Sequence, residues 1–137
     1  MKGDKTKLLR GDGATPTENF VQVAEIIEFP DITLSKETYD DTTFDSEDGY
    51  EEVGSGQKKM EPLDLKVKYN KDAEIAKLVR ADFESDDKVN YRIEWPDSPK
   101  TTLNFKGLVT KIVMSTPKNE NVTESFTFAP SGKPTWG

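Results

Sequence analysis

Residues 63–83, Leu63-Asp64-Leu65-Lys66-Val67-Lys68-Tyr69-Asn70-Lys71-Asp72-Ala73-Glu74-Ile75-Ala76-Lys77-Leu78-Val79-Arg80-Ala81-Asp82-Phe83, change period halfway through. In the first seven, Leu63, Leu65, Val67 and Tyr69 alternate with Asp64, Lys66 and Lys68, which sets one apolar row on one face of a half-buried strand. From Asn70 the spacing turns helical. Ile75, Leu78, Val79 and Phe83 form a stripe, Asp72 and Glu74 fall in the first turn where the macrodipole favours anions, and Asn70 is placed to cap it. The pattern predicts a strand followed by a helix over about residues 71–83, its stripe packed on a sheet.

Working outward, the period returns to two. Val89, Tyr91, Ile93 and Trp95 alternate, Pro96-Asp97-Ser98-Pro99 reads as a turn, and a return strand occupies Thr101 to Pro117. Leu103 and Phe105 share a face up to Gly107, after which Val109 and Ile112 fall out of phase, predicting a bulge or kink near Gly107. Asn119-Glu120-Asn121 then turns the chain into a last strand with Val122, Phe126 and Phe128 in phase. Upstream, Val21, Val23, Ile26, Ile27, Phe29, Ile32 and Leu34 suggest one or two strands broken at Pro30-Asp31. Four or more strands against one helix predict a mainly β protein, an antiparallel sandwich or barrel with a single flanking helix. Met1 to Thr17 is polar and contains glycine, so 1–17 reads as a flexible N-terminal arm, with the domain occupying 18–137.

One stretch fits neither period. From Ser35 to Lys59 the chain reads SKETYDDTTFDSEDGYEEVGSGQKK, and eight carboxylates (Glu37, Asp40, Asp41, Asp45, Glu47, Asp48, Glu51, Glu52) occur in it without a cation between them. Its apolar residues Tyr39, Phe44, Tyr50 and Val53 follow no regular spacing. The segment reads as a long acidic loop over about residues 36–59. Loops in compact domains run to about four to six residues, so one this long is either disordered or functional. Its aromatic anchors and the Gly54-Ser55-Gly56 hinge favour an arm that orders against a partner.

Composition narrows the function. The chain has 137 residues, a net charge of −7, no cysteine and no histidine. One domain's worth of chain can bury a core without staples, and the absence of cysteine suits a reducing cytoplasm. Leu8-Leu9 is far too short an apolar run for a signal peptide, and nothing spans a bilayer. The acidic balance argues against gripping nucleic acid by its phosphates, yet it suits a conduit through which a polyanion must slide.

Chemistry finds little support. Without histidine the usual triads, proton shuttle and metal ligand are missing. Asp40-Asp41 and Asp86-Asp87 read as solvated loop acids rather than a glycosidase pair. Placing Gly49 at the sixth position of a calcium loop would put Phe44 first and Ser55 twelfth, which fails at both ends. Gly54-Ser55-Gly56-Gln57-Lys58 lacks phosphate-loop spacing. Arg10-Gly11-Asp12 and the sequon Asn121-Val122-Thr123 have no export signal to give them meaning. Catalytic, metal and cofactor sites are therefore expected to be absent. Open sheet edges leave two readings, a monomer with blunted edges or a subunit whose edges pair with copies of itself.

Several motifs carry a resemblance. Glu37-Thr38-Tyr39-Asp40-Asp41, then Asp45-Ser46-Glu47-Asp48, then Gly54-Ser55-Gly56-Gln57-Lys58 are similar in order and spacing to the signature loop of the lambda-like major tail tube proteins of non-contractile phage tails. Tyr91-Arg92-Ile93-Glu94-Trp95-Pro96, Phe105-Lys106-Gly107-Leu108-Val109 and Gly132-Lys133-Pro134 resemble the family's later motifs, so the likeness spans about residues 19 to 137. Leu108 replaces a tryptophan, which changes packing volume, and no immunoglobulin-like C-terminal domain is expected.

The resemblance implies a structural subunit in a phage virion tail, made in the host bacterial cytoplasm. It would self-assemble into stacked hexameric rings around a tape-measure protein, with a tail-tip initiator complex and a tail terminator as partners. DNA would be ejected through the lumen without specific binding, and no membrane would be involved. The acidic loop would be the contact between rings, with Tyr39, Asp40, Asp41, Phe44, Asp45, Glu47, Asp48, Tyr50, Gly54, Gly56, Gln57 and Lys58 as its interface residues. Lys71, Arg80 or Lys88 of a neighbour would meet its carboxylates. A tube subunit of a type VI or other contractile injection system, and a monomeric acidic binding module, are the alternatives.

Overall fold

The computed structural model describes residues 6–13, 18–22, 26–43, 47–70, 74–97 and 99–137. In chain order the elements are β1 (Lys7–Gly11), β2 (Phe20–Gln22), β3 (Ile26–Glu28), β4 (Leu34–Asp40), β5 (Val53–Met60), β6 (Leu63–Lys68), α1 (Glu74–Glu84), β7 (Val89–Glu94), β8 (Thr102–Ser115) and β9 (Thr123–Trp136). Seven strands form one antiparallel sheet in the order β2-β1-β7-β8-β9-β6-β3, and β4 and β5 pair with each other as a separate ribbon. This is the mainly β fold with one flanking helix that the alternating periods predicted.

The spine of the sheet is the β8–β9 pair, 14 residues in each strand, running from Leu103 opposite Trp136 to Ser115 opposite Thr123. Strands of that length reach about 45 Å and must curl to enclose a core. The ladder breaks between Asn104 and Lys106 and again between Val109 and Lys111. These breaks flank Gly107, as the phase slip predicted, and each adds local twist. Gly107 is obligatory because a Cβ there would stand 2.5 Å from the Ala129 carbonyl oxygen.

One face of the sheet is the core. Leu8, Ile93 and Leu103 lie in register across β1, β7 and β8, and Leu63 and Leu65 pair with Phe128 and Phe126. All seven are at most 2% exposed. Each such side chain contributes about 1.5–3 kcal/mol by leaving water. Tyr91 packs edge-on to Phe128 with ring centroids 4.9 Å apart and stacks on Phe105 at 5.6 Å.

The helix closes this core through Ala76 and Val79, at 2% and 0% exposure. Of the predicted stripe Val79 is buried, the side chain of Ile75 lies outside those described, and the other two members are corrected. Leu78 and Phe83 are each 42% exposed, and Asp82, at 5%, takes the inward position instead. The reason lies in the sheet, whose core face carries two charges, Arg10 in register with Tyr91 and Glu124 in register with Val67. Arg10 donates from Nε and Nη2 to the two Asp82 carboxylate oxygens at 2.7 and 2.8 Å, and the Tyr91 hydroxyl donates to the same carboxylate at 2.7 Å. Arg80 donates to the two Glu124 oxygens at 2.9 and 2.7 Å. Rotating the helix to bury Leu78 and Phe83 would strand the part-buried Arg10 and the fully buried Glu124, the latter at a cost of about 3–5 kcal/mol. The bond to Asp82 raises the Arg10 pKa, the bond to Glu124 raises that of Arg80, and burial followed by Asp82 raises that of Tyr91.

Two further expectations change. The N-terminal arm is in part a central element, because β1 inserts between β2 and β7 and sends Leu8, fully buried, into the core. Order thus begins well before Phe20, although residues 1–5 and 14–17 lie outside the described set. The acidic loop is for the most part a β-hairpin. The helix spans Glu74–Glu84, and the Asn70 cap reading abuts 71–73, also outside the described residues.

Candidate assembly interface

The hairpin leaves the domain at Thr33 and Glu61, where the Glu61 amide donates to the Thr33 carbonyl at 2.8 Å and the Ser35 hydroxyl donates to the Glu61 carboxylate at 2.6 Å. Met60, 4% exposed, roots it in the core opposite Leu34. Pairing continues through Lys36 opposite Lys58, slips by one residue so that Gly56 and Gln57 oppose Glu37, and resumes at Thr38–Ser55, Tyr39–Gly54 and Asp40–Val53. Gly54 has a steric reason: the Tyr39 ring lies over it, and a Cβ at 54 would overlap that ring.

Beyond the ladder the turn is tied by side chains. The Asp41 amide donates to the Glu52 carbonyl at 2.9 Å, the Glu52 amide to the Thr42 hydroxyl at 2.8 Å, and the Thr42 amide to the Asp40 carboxylate at 2.9 Å. The Thr42 hydroxyl, and then its amide, hold the Asp40 carboxyl below its ordinary range. At the tip Glu47–Gly49 makes one 3-10 turn in which Asp48 adopts a left-handed φ of 54°.

Of the residues singled out in the sequence, Tyr39, Asp40, Asp41, Asp48, Tyr50, Gly54, Gly56, Gln57 and Lys58 lie together on this one projection. Phe44 and Asp45 fall outside the described residues, and of Glu47 only the backbone is described. Tyr50 and Val53 are exposed at 74% and 63%. Tyr39 is half committed to Gly54, so its role is shared between the ribbon and any partner. Among the proposed cations on a neighbour, Arg80 is corrected, since its guanidinium is bound to Glu124 and stands 5.4 Å over the Tyr69 ring. Lys71 lies outside the described residues, and Lys88 is exposed.

Sequence reasoning missed the groove at the hairpin's foot. Leu34, Lys36, Lys58 and Lys59 on one side and Lys133 and Trp136 of β9 on the other line an open space of about 670 Å³. Trp136, 57% exposed, is held by stacking on Trp95 at 5.9 Å. The available signal was Lys36 and Lys58-Lys59 bracketing a stretch, 37–57, that has no cation. A second concavity, of about 570 Å³, lies on the polar face of the sheet, where Asn90 donates to Glu18 at 3.0 Å and Arg92 to Asn104 at 2.6 Å. Lys106 and Lys133 also line it.

Comparison with known proteins matches this architecture. The family model described as "Lambda phage tail tube protein, TTP" matches residues 10–137. No curated protein is significantly similar in sequence. Among solved structures, the tail of an empty gene transfer agent (GTA) particle refined with C6 symmetry superposes with a TM-score of 0.77 at 20% identity, covering 95% of each chain. The virion of a native gene transfer agent particle gives 0.79 at 17% identity, over 100% of this chain and 98% of that one. The SPP1 tail tube gives 0.66 at 11% identity, over 99% and 78%. At these identities the likeness is one of fold.

Proposed function

The chain belongs to the lambda phage tail tube protein family, and on that premise we propose that it closes into six-membered rings that stack into a hollow tube, its acidic ribbon joining one ring to the next. It is a structural protein of the tail. The observation that carries the ribbon's role is energetic. An isolated two-stranded hairpin is at best marginally stable in water and needs a third strand or a packed face. Beyond its root at Met60, none of the ribbon's described side chains from Leu34 to Lys59 is buried, while Tyr39, Tyr50 and Val53 are more than half exposed. A copy of the same chain covering that ribbon supplies the missing face.

The rest of the surface is consistent with assembly. Ile27, Leu78, Phe83, Val113 and Met114 are large apolar side chains at 42–52% exposure, and β2 and β3 stand at the open edges of the sheet. A neighbour that continues the sheet would remove those edges, as closure of a ring does. The net charge of −7 keeps a passing polyanion from adhering. In this reading DNA leaves the virion through the lumen. The tape-measure protein, a tail-tip initiator and a tail terminator set where the tube starts and stops, and assembly takes place in the host bacterial cytoplasm. Covering the ribbon's exposed face only on contact gives a reason for assembly to wait for a template.

Negative-stain electron microscopy of the concentrated chain tests this. Hollow filaments of stacked rings are expected. Asp40→Lys with Asp41→Lys should abolish them and leave the monomer folded; unchanged filaments from that variant would remove the ribbon from the interface.

A further inference from the structure

The ribbon separates its charges along its length. Lys36, Lys58 and Lys59 sit at its foot, and every charged residue between 37 and 57 is acidic. Seven residues of β4 carry the turn about 20 Å from the foot. The paired strands hold the two ends apart, so the tip cannot fold back onto its own foot. The foot nevertheless presents the surface that such a tip would fit. Lys36, Lys58 and Lys133 pair with no carboxylate among the described residues, while Lys59 reaches Glu61 at 3.8 Å. Leu34 and Trp136 line the same groove as these cations.

From this complementarity we infer that the groove at the foot of the ribbon receives the ribbon tip of a second copy of the chain, Tyr50 lying against Leu34 and Trp136. Asp48, Glu51 and Glu52 of the incoming tip face Lys36, Lys58 and Lys133. The inference rests on the reading that the ribbon joins copies, and it replaces Arg80 with named cations. Donor tip and receiving groove are different surfaces of one molecule, so the contact is heterologous and propagates from copy to copy instead of ending at a dimer. An apolar centre ringed by opposite charges has the anatomy of a protein interface, in which the aromatic residue anchors and the charges set register.

The chain has no cysteine, which allows a direct test. Tyr50→Cys and Lys58→Cys are combined in one chain, assembled into tubes and oxidised. The double variant should give a ladder extending past the dimer on a non-reducing gel, while either single variant can give at most dimers. Lys36→Glu with Lys58→Glu and Lys133→Glu should lower tube yield at least tenfold with the far-ultraviolet spectrum of the monomer unchanged, and adding Glu51→Lys with Glu52→Lys should restore it. Tubes without a ladder, or a triple reversal that assembles like the parent, would overturn the groove assignment and leave the tube reading standing. A parent chain that stays monomeric at every concentration overturns the tube reading, and this inference with it.

Discussion

Strands β8 and β9 pair over 14 residues with Leu103, Phe105, Phe126 and Phe128 beneath them, whereas β4 and β5 pair over 7 and 8 residues with only Met60, at the foot, buried. Both are antiparallel ladders made of the same backbone hydrogen bonds, each contributing a net of about 0.5–1.5 kcal/mol at most. What differs is the apolar area behind them. The sheet keeps its shape alone, while the ribbon is held by local ties at its turn and by Tyr39 over Gly54. The comparison teaches that a region can have regular secondary structure in a single chain and still lack the burial that would make it stable there. Such a region is shaped for a surface it does not yet touch.

Mutations can break this contrast at either end. On the stability of the single chain, the largest effect is expected from the buried ions. Asp82→Ala strands Arg10 and the Tyr91 hydroxyl together and should cost about 3–5 kcal/mol, measured by denaturant unfolding. That is a large share of the stability expected of a domain of this size, about 5–15 kcal/mol. Tyr91→Phe keeps the ion pair and the ring packing and removes one hydrogen bond to a carboxylate. Its cost should be smaller, about 1.5–3 kcal/mol, and a loss equal to that of Asp82→Ala would contradict the geometry.

On the ribbon the same measurement should barely move. Asp40→Lys with Asp41→Lys lies on exposed positions and should leave the unfolding midpoint essentially unchanged while removing assembly. A large loss of monomer stability would mean that the ribbon is packed after all. The smallest effect expected is local and depends on pH. The bonds from Thr42 lower the Asp40 carboxyl below its ordinary value, so the order they give the turn is complete above that ordinary value, about 3.9, and is lost as pH falls through the depressed one. Amide exchange at Thr42 and Glu52 should therefore quicken, relative to the intrinsic rate, at acid pH. Asp40→Asn should remove the dependence.

The residues that were legible and those that were not follow the same division. Leu63, Leu65, Val67, Tyr91, Ile93, Leu103 and Phe105 showed their strands because alternation records which side of the chain is buried. The ribbon shows no period because, among its described residues, only Met60 at its foot is buried in the single chain, and its acidic turn and glycines then read as loop. Strand β1 reads as part of an arm because five residues, KLLRG, are too few to display a period. The signs of the ion pairs were present but indirect. Asp82 falls three residues after Val79 on the helix, and Glu124 stands in phase with Phe126 and Phe128, so each is a charge at a position where a core residue was due.

By itself the sequence determined the element types downstream of residue 63, the bulge around Gly107, the family, and the charge asymmetry of the segment from Ser35 to Lys59. These are properties of neighbours along the chain, set by side-chain period, turn chemistry and composition. The tertiary structure alone decided that β1 lies between β2 and β7, that the helix turns Asp82 inward and leaves Leu78 and Phe83 half exposed, and that Lys133 and Trp136 come to the foot of the ribbon. Those outcomes depend on pairings between residues tens of positions apart, Arg10 with Asp82 and Arg80 with Glu124. A local period can show that a side chain is buried, but the partner that neutralises a buried charge is fixed only when the sheet has closed around it.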